Sequence, residues 1–234
     1  NDTPILYCYV DNNYNGDVLI RNNTIELYGA AGEGIKSFRN SEIIDNTISY
    51  SNNRFSNCYI SQYGQYLVGI SIHNNHNILR GNTITNFAIG IKLDGVTDNI
   101  IDSNIIHTLS SFINTSGNTF NFQYGLYGIE AQNSDSLFIT NNTITTETGA
   151  LIYQTNGASI IKYNLLETES GRGIWCENQA GVEFSNNTIA SINGNGDYGI
   201  YVSNLSAPII KNNIVDNFQN GIYADNTIAN YSIQ

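Results

Sequence analysis

The chain has no methionine, only two prolines, one tryptophan and three cysteines in 234 residues. Each shortage narrows the field. Three cysteines, Cys8, Cys58 and Cys176, form no C-x-x-C pair. A disulfide framework and a structural zinc site are both disfavoured by that count and spacing. The missing methionine leads us to expect a processed or excised chain. Two prolines beside 21 glycines are not the composition of a disordered linker. Charge is also scarce. Charged residues make up 12% of the chain, with 9 Lys and Arg against 20 Asp and Glu, a net charge of −11. So few cations suit neither the phosphates of nucleic acid nor an anionic membrane surface. No apolar run reaches the roughly 18 residues of a membrane span, and no signal peptide is visible.

What the chain has in excess is asparagine, 38 residues of it. Many fall in one recurring hexapeptide: "IRNNTI" at 20–25, "LRGNTI" at 79–84, "ITNNTI" at 139–144 and "FSNNTI" at 184–189. Looser copies stand at 43–48, 101–106, 161–166 and 210–215. The shared asparagines are Asn23, Asn46, Asn82, Asn104, Asn142, Asn164, Asn187 and Asn213. Their base period is 22–26 residues, with two steps lengthened to 36 and 38. A fixed period of this size is the mark of a solenoid.

A second column precedes most of these asparagines: Gly34-Ile35, Gly69-Ile70, Gly90-Ile91, Gly128-Ile129, Gly173-Ile174, Gly199-Ile200 and Gly221-Ile222. The residue two after each Ile is mostly apolar, which is the alternation of a half-buried strand. Short β-branched segments lie on both sides of each Asn. The expectation is an all-β chain: a single-stranded right-handed parallel β-helix solenoid of about eight to nine coils, each of three short strands. It forms one domain over 1–234, with insertion loops at about 49–68 and 107–127. The segment "ILYCYV" at 5–10 fits a first strand, with Cys8 in the inward column of Cys176. The Asn column is expected to turn the corner between strands and to form an amide ladder, since Asn tolerates the left-handed conformation. A leucine-rich repeat has a similar period but needs Leu at fixed spacing, where this chain has Ile.

The Gly-Ile-x-x…Ile-x-x-Asn-x-Ile pattern resembles the right-handed parallel β-helix superfamily, which includes pectate-lyase-like proteins and NosD-type surface repeat proteins. The resemblance covers essentially the whole chain. It implies that the Gly-Ile segment is the first strand of each coil and that the segments before and after the Asn are the second and third. It further implies a ligand groove on the outer face of the first strand and in the turn before it. Fold alone does not carry function.

The outer face of the first strand then reads as two columns. One holds Tyr7, Lys36, Ser71, Lys92, Glu130, Leu151, Trp175, Tyr201 and Tyr223. The other holds Tyr9, Phe38, His73, Asp94, Gln132, Tyr153, Glu177, Ser203 and Asp225. His73, Lys92, Asp94 and Glu130 are the catalytic candidates. Asp94 and Glu130 would be diagonal across neighbouring coils, about 7–8 Å apart, a separation that suits an inverting glycosidase. A His or Lys base with an acidic partner would equally suit a polysaccharide lyase or epimerase. Cross-strand ion pairs on a solvated face are the simpler explanation. The motif sets of polygalacturonases and alginate epimerases are absent, and so few cations grip a uronate polymer poorly. The ligand-binding candidates are Tyr153, Trp175, Tyr201, Tyr63, Tyr66, Tyr124 and Tyr127, aromatic platforms on which sugar rings would stack. The insertion aromatics could instead close small cores of their own.

No cofactor is expected, and any Ca²⁺ on the acidic surface would be adventitious. His73-x-x-His76 lacks a third ligand, so no metal site is expected. The preferred function is a non-catalytic module, secreted or at the cell surface, serving as a stalk or binding a polysaccharide or other glycan. The alternatives are a carbohydrate-active enzyme and a filament or surface-layer subunit. The third follows from the lack of an obvious capping helix, which makes the chain a fragment or a unit that binds copies of itself through its end coils. Neither nucleic acid nor membrane insertion fits.

Overall fold

Alternating β-branched residues turn each period into three short strands, and a computed structural model shows how the periods stack. It describes residues 17–27, 32–38, 40–51, 67–109, 111–113, 119–121, 126–148, 150–178, 181–204, 208–225 and 232–233. The second strands, from Val18–Arg21 to Ser232–Ile233, form a nine-stranded parallel sheet in chain order. First and third strands form a 14-stranded sheet that folds around the other two faces. It is continuous because Leu165–Glu177 and Thr188–Ser203 each run from the third strand of one coil into the first strand of the next. Seven complete coils run from Gly32–Ser37 to Ile214–Asp216, with a partial coil on either side. The expected eight to nine coils include those partial turns.

The inward residues stack in three columns. Ile35, Ile70, Ile91, Ile129, Ile152, Ile174 and Ile200 line the first strands. Ile43, Leu79, Ile101, Ile139, Ile161, Phe184 and Ile210 line the second. Ile48, Ile84, Ile106, Ile144, Leu166 and Ile189 line the third. None of them is more than 3% exposed. Burying each such side chain contributes about 1.5–3 kcal/mol relative to leaving it in water. The Gly column has a steric cause. A Cβ on Gly69 or Gly90 would sit 2.6 Å from the carbonyl oxygen of the next Gly and 2.3 Å from the Cγ2 of Ile84 or Ile106.

All eight ladder asparagines join one chain of amides. Their Nδ2 to Oδ1 distances are 2.9–3.0 Å from Asn23 to Asn213. Each Oδ1 from Asn46 onward also accepts the backbone N–H of the preceding ladder Asn, at 2.9–3.1 Å. Each Nδ2 from Asn46 onward also donates to a main-chain carbonyl of the second strand in the preceding coil, at 2.7–2.9 Å. The ladder crosses both lengthened steps, Asn46 to Asn82 and Asn104 to Asn142, without a break.

One expectation is corrected here. The left-handed corner residue is not the ladder Asn but the residue before it: Asn22, Asp45, Gly81, Ser103, Asn141, Tyr163, Asn186 and Asn212. Their φ values lie between 53° and 65°. The work is divided because the ladder amide must point inward along the stack, where it is buried from Asn46 to Asn187. A second, shorter ladder went unread in the sequence. Ser41 N–H donates to Asn77 Oδ1 at 2.9 Å, and Asn77 Nδ2 donates to Asn99 Oδ1 at 2.8 Å.

The coil at Ala150–Thr155 corrects the register. Ile152 stacks between Ile129 and Ile174, so Tyr153, not Leu151, stands between Glu130 and Trp175. Thr155, not Tyr153, stands between Gln132 and Glu177. Leu151 falls where most other coils have Gly, which is why the Gly-Ile signal fails in this coil. Gln154 consequently points inward, fully buried, and donates to Ser159 Oγ.

The third strand of the third complete coil is Ile105–Thr108, so the second insertion begins just after it. It contains an antiparallel pair, Ser111–Ile113 with Thr119–Asn121, that places Phe112 opposite Phe120. Leu109 and Leu126, at its base, pack on the core. The 5–10 segment with Cys8, together with Phe55, Cys58, Tyr59, Tyr63, Tyr66, Phe122 and Tyr124, lies outside the described residues. Outside the coil, Arg21, Arg80, Lys162 and Lys211 are paired with Asp45, Asp102 and Glu183 at 3.0–3.7 Å.

Candidate functional site

With the register corrected, one outer column of the first strands runs Lys36, Ser71, Lys92, Glu130, Tyr153, Trp175, Tyr201, Tyr223. It is polar at one end and aromatic at the other. The residue before the Gly position supplies a parallel column of Tyr127, Ala150, Arg172, Tyr198 and Asn220. Together they make an aromatic ribbon along the solenoid.

Ring centroids in the ribbon follow the strand spacing. Tyr127 stacks on Tyr153 at 4.8 Å, and Tyr153 meets Trp175 at 5.0 Å. Trp175 meets Tyr201 at 5.9 Å, nearly perpendicular, and Tyr201 stacks on Tyr223 at 5.6 Å with 9° between planes. Tyr198 packs against both Tyr201 and Tyr223, at 5.3 and 5.2 Å. The guanidinium of Arg172 lies 3.8 Å from the Trp175 ring centroid and 5.7 Å from those of Tyr198 and Tyr201. The ribbon therefore differs from a row of open platforms. Much of the ring face is spent on neighbouring rings and on Arg172. Stacking along the axis leaves edges and phenol hydroxyls for solvent. Each ring pair contributes about 0.5–1.5 kcal/mol beyond burial, so the ribbon also stiffens the coil stack.

Acceptors run beside it. Glu177 Oε1 accepts the Trp175 indole N–H at 2.7 Å. Glu130 is only 4% exposed. Its Oε1 accepts from Gln132 Nε2 at 2.6 Å, while its Oε2 has no hydrogen bond and lies 3.5 Å from Lys92 Nζ. Burial, with Glu130 adding to it, pushes the Tyr127 phenol up to about 12. Burial likewise raises Tyr153, with Glu177 and Glu130 next in effect.

The four catalytic candidates share this face. Lys92 and Glu130 are cross-strand partners and form the ion pair. Asp94 is exposed, opposite Gln132, which sets it diagonal to Glu130. His73 follows Ile72, the partner of Leu93, so it neighbours Asp94. Its Nε2 hydrogen-bonds Ser71 Oγ at 2.8 Å, and its ring stacks on Phe38 at 5.0 Å. Partial burial, then the Lys36 charge, lowers its pKa from the ordinary 6.5. Among the described residues, no ion pair joins His73 to Asp94, and no group of three His, Cys, Asp or Glu could hold a metal ion. His76 sits in a turn at φ 59°, its Nε2 3.6 Å from Asp98.

Of the ligand-binding candidates, Tyr127, Tyr153, Trp175 and Tyr201 come together. Tyr63, Tyr66 and Tyr124 fall outside the described residues. Arg172, Tyr198 and Tyr223 complete the ribbon. Arg172 and Tyr198 were readable as the residues preceding Gly173-Ile174 and Gly199-Ile200, a position the two-column reading left out.

A family profile described as the right handed beta helix region matches residues 110–234. A search of curated proteins finds no match to the chain. The matched segment carries four of the eight ladder asparagines, Asn142, Asn164, Asn187 and Asn213, and its Gly-Ile and Asn columns continue those of the coils before it. The chain belongs to the right-handed β-helix family.

Proposed function

We propose that this β-helix is a non-catalytic binding module, exposed outside the cell, that holds an extended glycan along the aromatic ribbon. The observation that carries the reading is the ribbon itself: rings from five coils in line, from Tyr127 and Tyr153 to Tyr223. Hydroxyl-rich chains are recognised by planar polar groups beside aromatic surface. Here Arg172 supplies donors and Glu177 supplies acceptors on the same strip. Preformed stacking holds the side chains in place before binding, which lowers the ordering cost on association.

A glycan array tests this with three proteins. The unaltered chain should bind at least one extended glycan, Tyr153→Ala with Tyr201→Ala should lose it, and Tyr163→Asn should keep it. Tyr163 is exposed at the corner between a second and a third strand, not on the first strands that carry the ribbon. Binding that survives loss of both ribbon tyrosines would end the proposal.

One observation favours a second reading. Glu130 is a buried carboxylate with one oxygen free of hydrogen bonds beside an ammonium; Asp94 lies diagonal to it, and His73, whose pKa burial lowers, stands beside Asp94 on the next coil. That set would serve acid–base chemistry on a bound sugar. If this is an enzyme, polysaccharide cleavage should be detectable and should vanish in Glu130→Gln with binding retained. A chain that binds glycan without cleaving it leaves the module reading alone.

A further inference from the structure

The two columns hold three cations, Lys36, Lys92 and Arg172, and they are treated differently. Lys36 is neutralised by Glu33 at 2.8 Å. Lys92 is neutralised by Glu130. Arg172 has three aromatic rings around it and, among the described residues, neither a hydrogen-bond acceptor nor an ion-pair partner. A guanidinium carries five N–H donors in one plane. Ring contact satisfies its face but none of those donors. It is half-buried, so the donors are only partly available to water. The stacked geometry also fixes the fork, so little freedom is lost when a planar acceptor docks.

We infer that Arg172 is a hook for a single oxyanion, a carboxylate or sulfate carried by the bound glycan at the level of Trp175. This rests on the ribbon being the glycan site. The charge around it limits the anion to one. Asp94, Glu130, Glu177 and Asp225 lie along the same face, with Lys92 already paired. A chain with an acid on every sugar would meet these carboxylates at neighbouring coils and be repelled. The favoured ligand is a mostly neutral glycan with an isolated acidic substituent. Arg172 takes that group bidentately, and the flanking carboxylates accept from the hydroxyls of its neutral neighbours.

Trp175 is the one tryptophan of the chain and lies against the hook, so its emission reports on the site directly. The probes are methyl glucuronide, a glucose monosulfate and methyl glucoside, each titrated against the full chain. Both charged sugars should half-saturate the emission change at about a tenfold lower concentration than the neutral one. Arg172→Gln should abolish that preference. Arg172→Lys, which keeps charge but not the fork, should retain only part of it. A preference confined to one charged sugar assigns the hook to carboxylate or to sulfate. Equal half-saturation for charged and neutral sugars, no response to either charged sugar, or a preference unchanged in Arg172→Gln overturns the hook. Any of these leaves the ribbon reading to stand or fall on Tyr153→Ala and Tyr201→Ala. Matching melting curves for the Arg172 variants and the unaltered chain exclude a folding defect.

Discussion

Replacing Asn142 with Ala cuts the ladder at its middle. Asn142 Oδ1 accepts from Asn104 N–H at 2.9 Å and from Asn104 Nδ2 at 3.0 Å. Its Nδ2 donates to Asn164 Oδ1 at 3.0 Å and to Ile101 O at 2.9 Å. In Asn142→Ala the Asn104 N–H has no acceptor, and Asn104 is fully buried. An orphaned buried donor costs about 1–3 kcal/mol. Asn104 Nδ2 keeps Leu79 O, and Asn164 Oδ1 keeps the backbone N–H of residue 142, so the other losses are smaller. The total comes to about 3 kcal/mol. Asn23→Ala removes a single ladder amide at the exposed end of the described stack and should cost about 1 kcal/mol or less. Urea unfolding followed by circular dichroism measures both. A solenoid can lose coils locally, so hydrogen exchange at Asn104 N–H is the companion readout, and it should accelerate in Asn142→Ala. The reasoning fails if the two variants lie within 1 kcal/mol of each other, or if Asn104 N–H stays protected.

Gly90→Ala should destabilise by about 2 kcal/mol or more, because its Cβ would meet Ile106 Cγ2 at 2.3 Å and Gly128 O at 2.6 Å. Gly95→Ala has open space but a φ of 66°, so its smaller cost should come from backbone strain; melting curves rank the two. His73 should titrate by NMR below 6.5, and Lys36→Gln should move its midpoint up. Since folding lowers this pKa, the unfolded chain takes the proton first as pH falls. The His73 contribution is therefore complete above 6.5 and declines as pH drops from there toward the folded midpoint. Cys176 is fully buried, and burial raises its thiol pKa, so with Cys8→Ser and Cys58→Ser it should resist thiol reagents until urea unfolds the chain.

The fold was legible because a solenoid writes each structural demand many times. Asn142 alone says little, but eight asparagines at one period define the ladder, and seven Gly-Ile pairs define the first strand. The ladder could be read while the left-handed residue before it could not. That position accepts Asn, Asp, Ser, Gly and even Tyr163, since it needs a backbone angle and no particular contact. The slip at Ala150–Thr155 has the same origin. Leu151 breaks the Gly column, and only the pairing of Ile152 with Ile129 and Ile174 restores the phase. The site was legible in part. Trp175 and Tyr201 fell in their column, and the Lys92–Glu130 pair followed from register. That the rings spend much of their face on one another depends on side-chain rotamers, which no spacing encodes. Nor could the sequence show that Lys92 is paired while Arg172 has only rings.

The central claim is that the glycan lies on the ribbon at Trp175. Acrylamide quenching of Trp175 during titration with a glycan that binds the chain on an array tests it most directly. The account predicts progressive protection of the emission, saturating with binding and absent in Tyr153→Ala with Tyr201→Ala. Saturable binding that leaves Trp175 as quenchable as in the free protein would place the ligand elsewhere and contradict it.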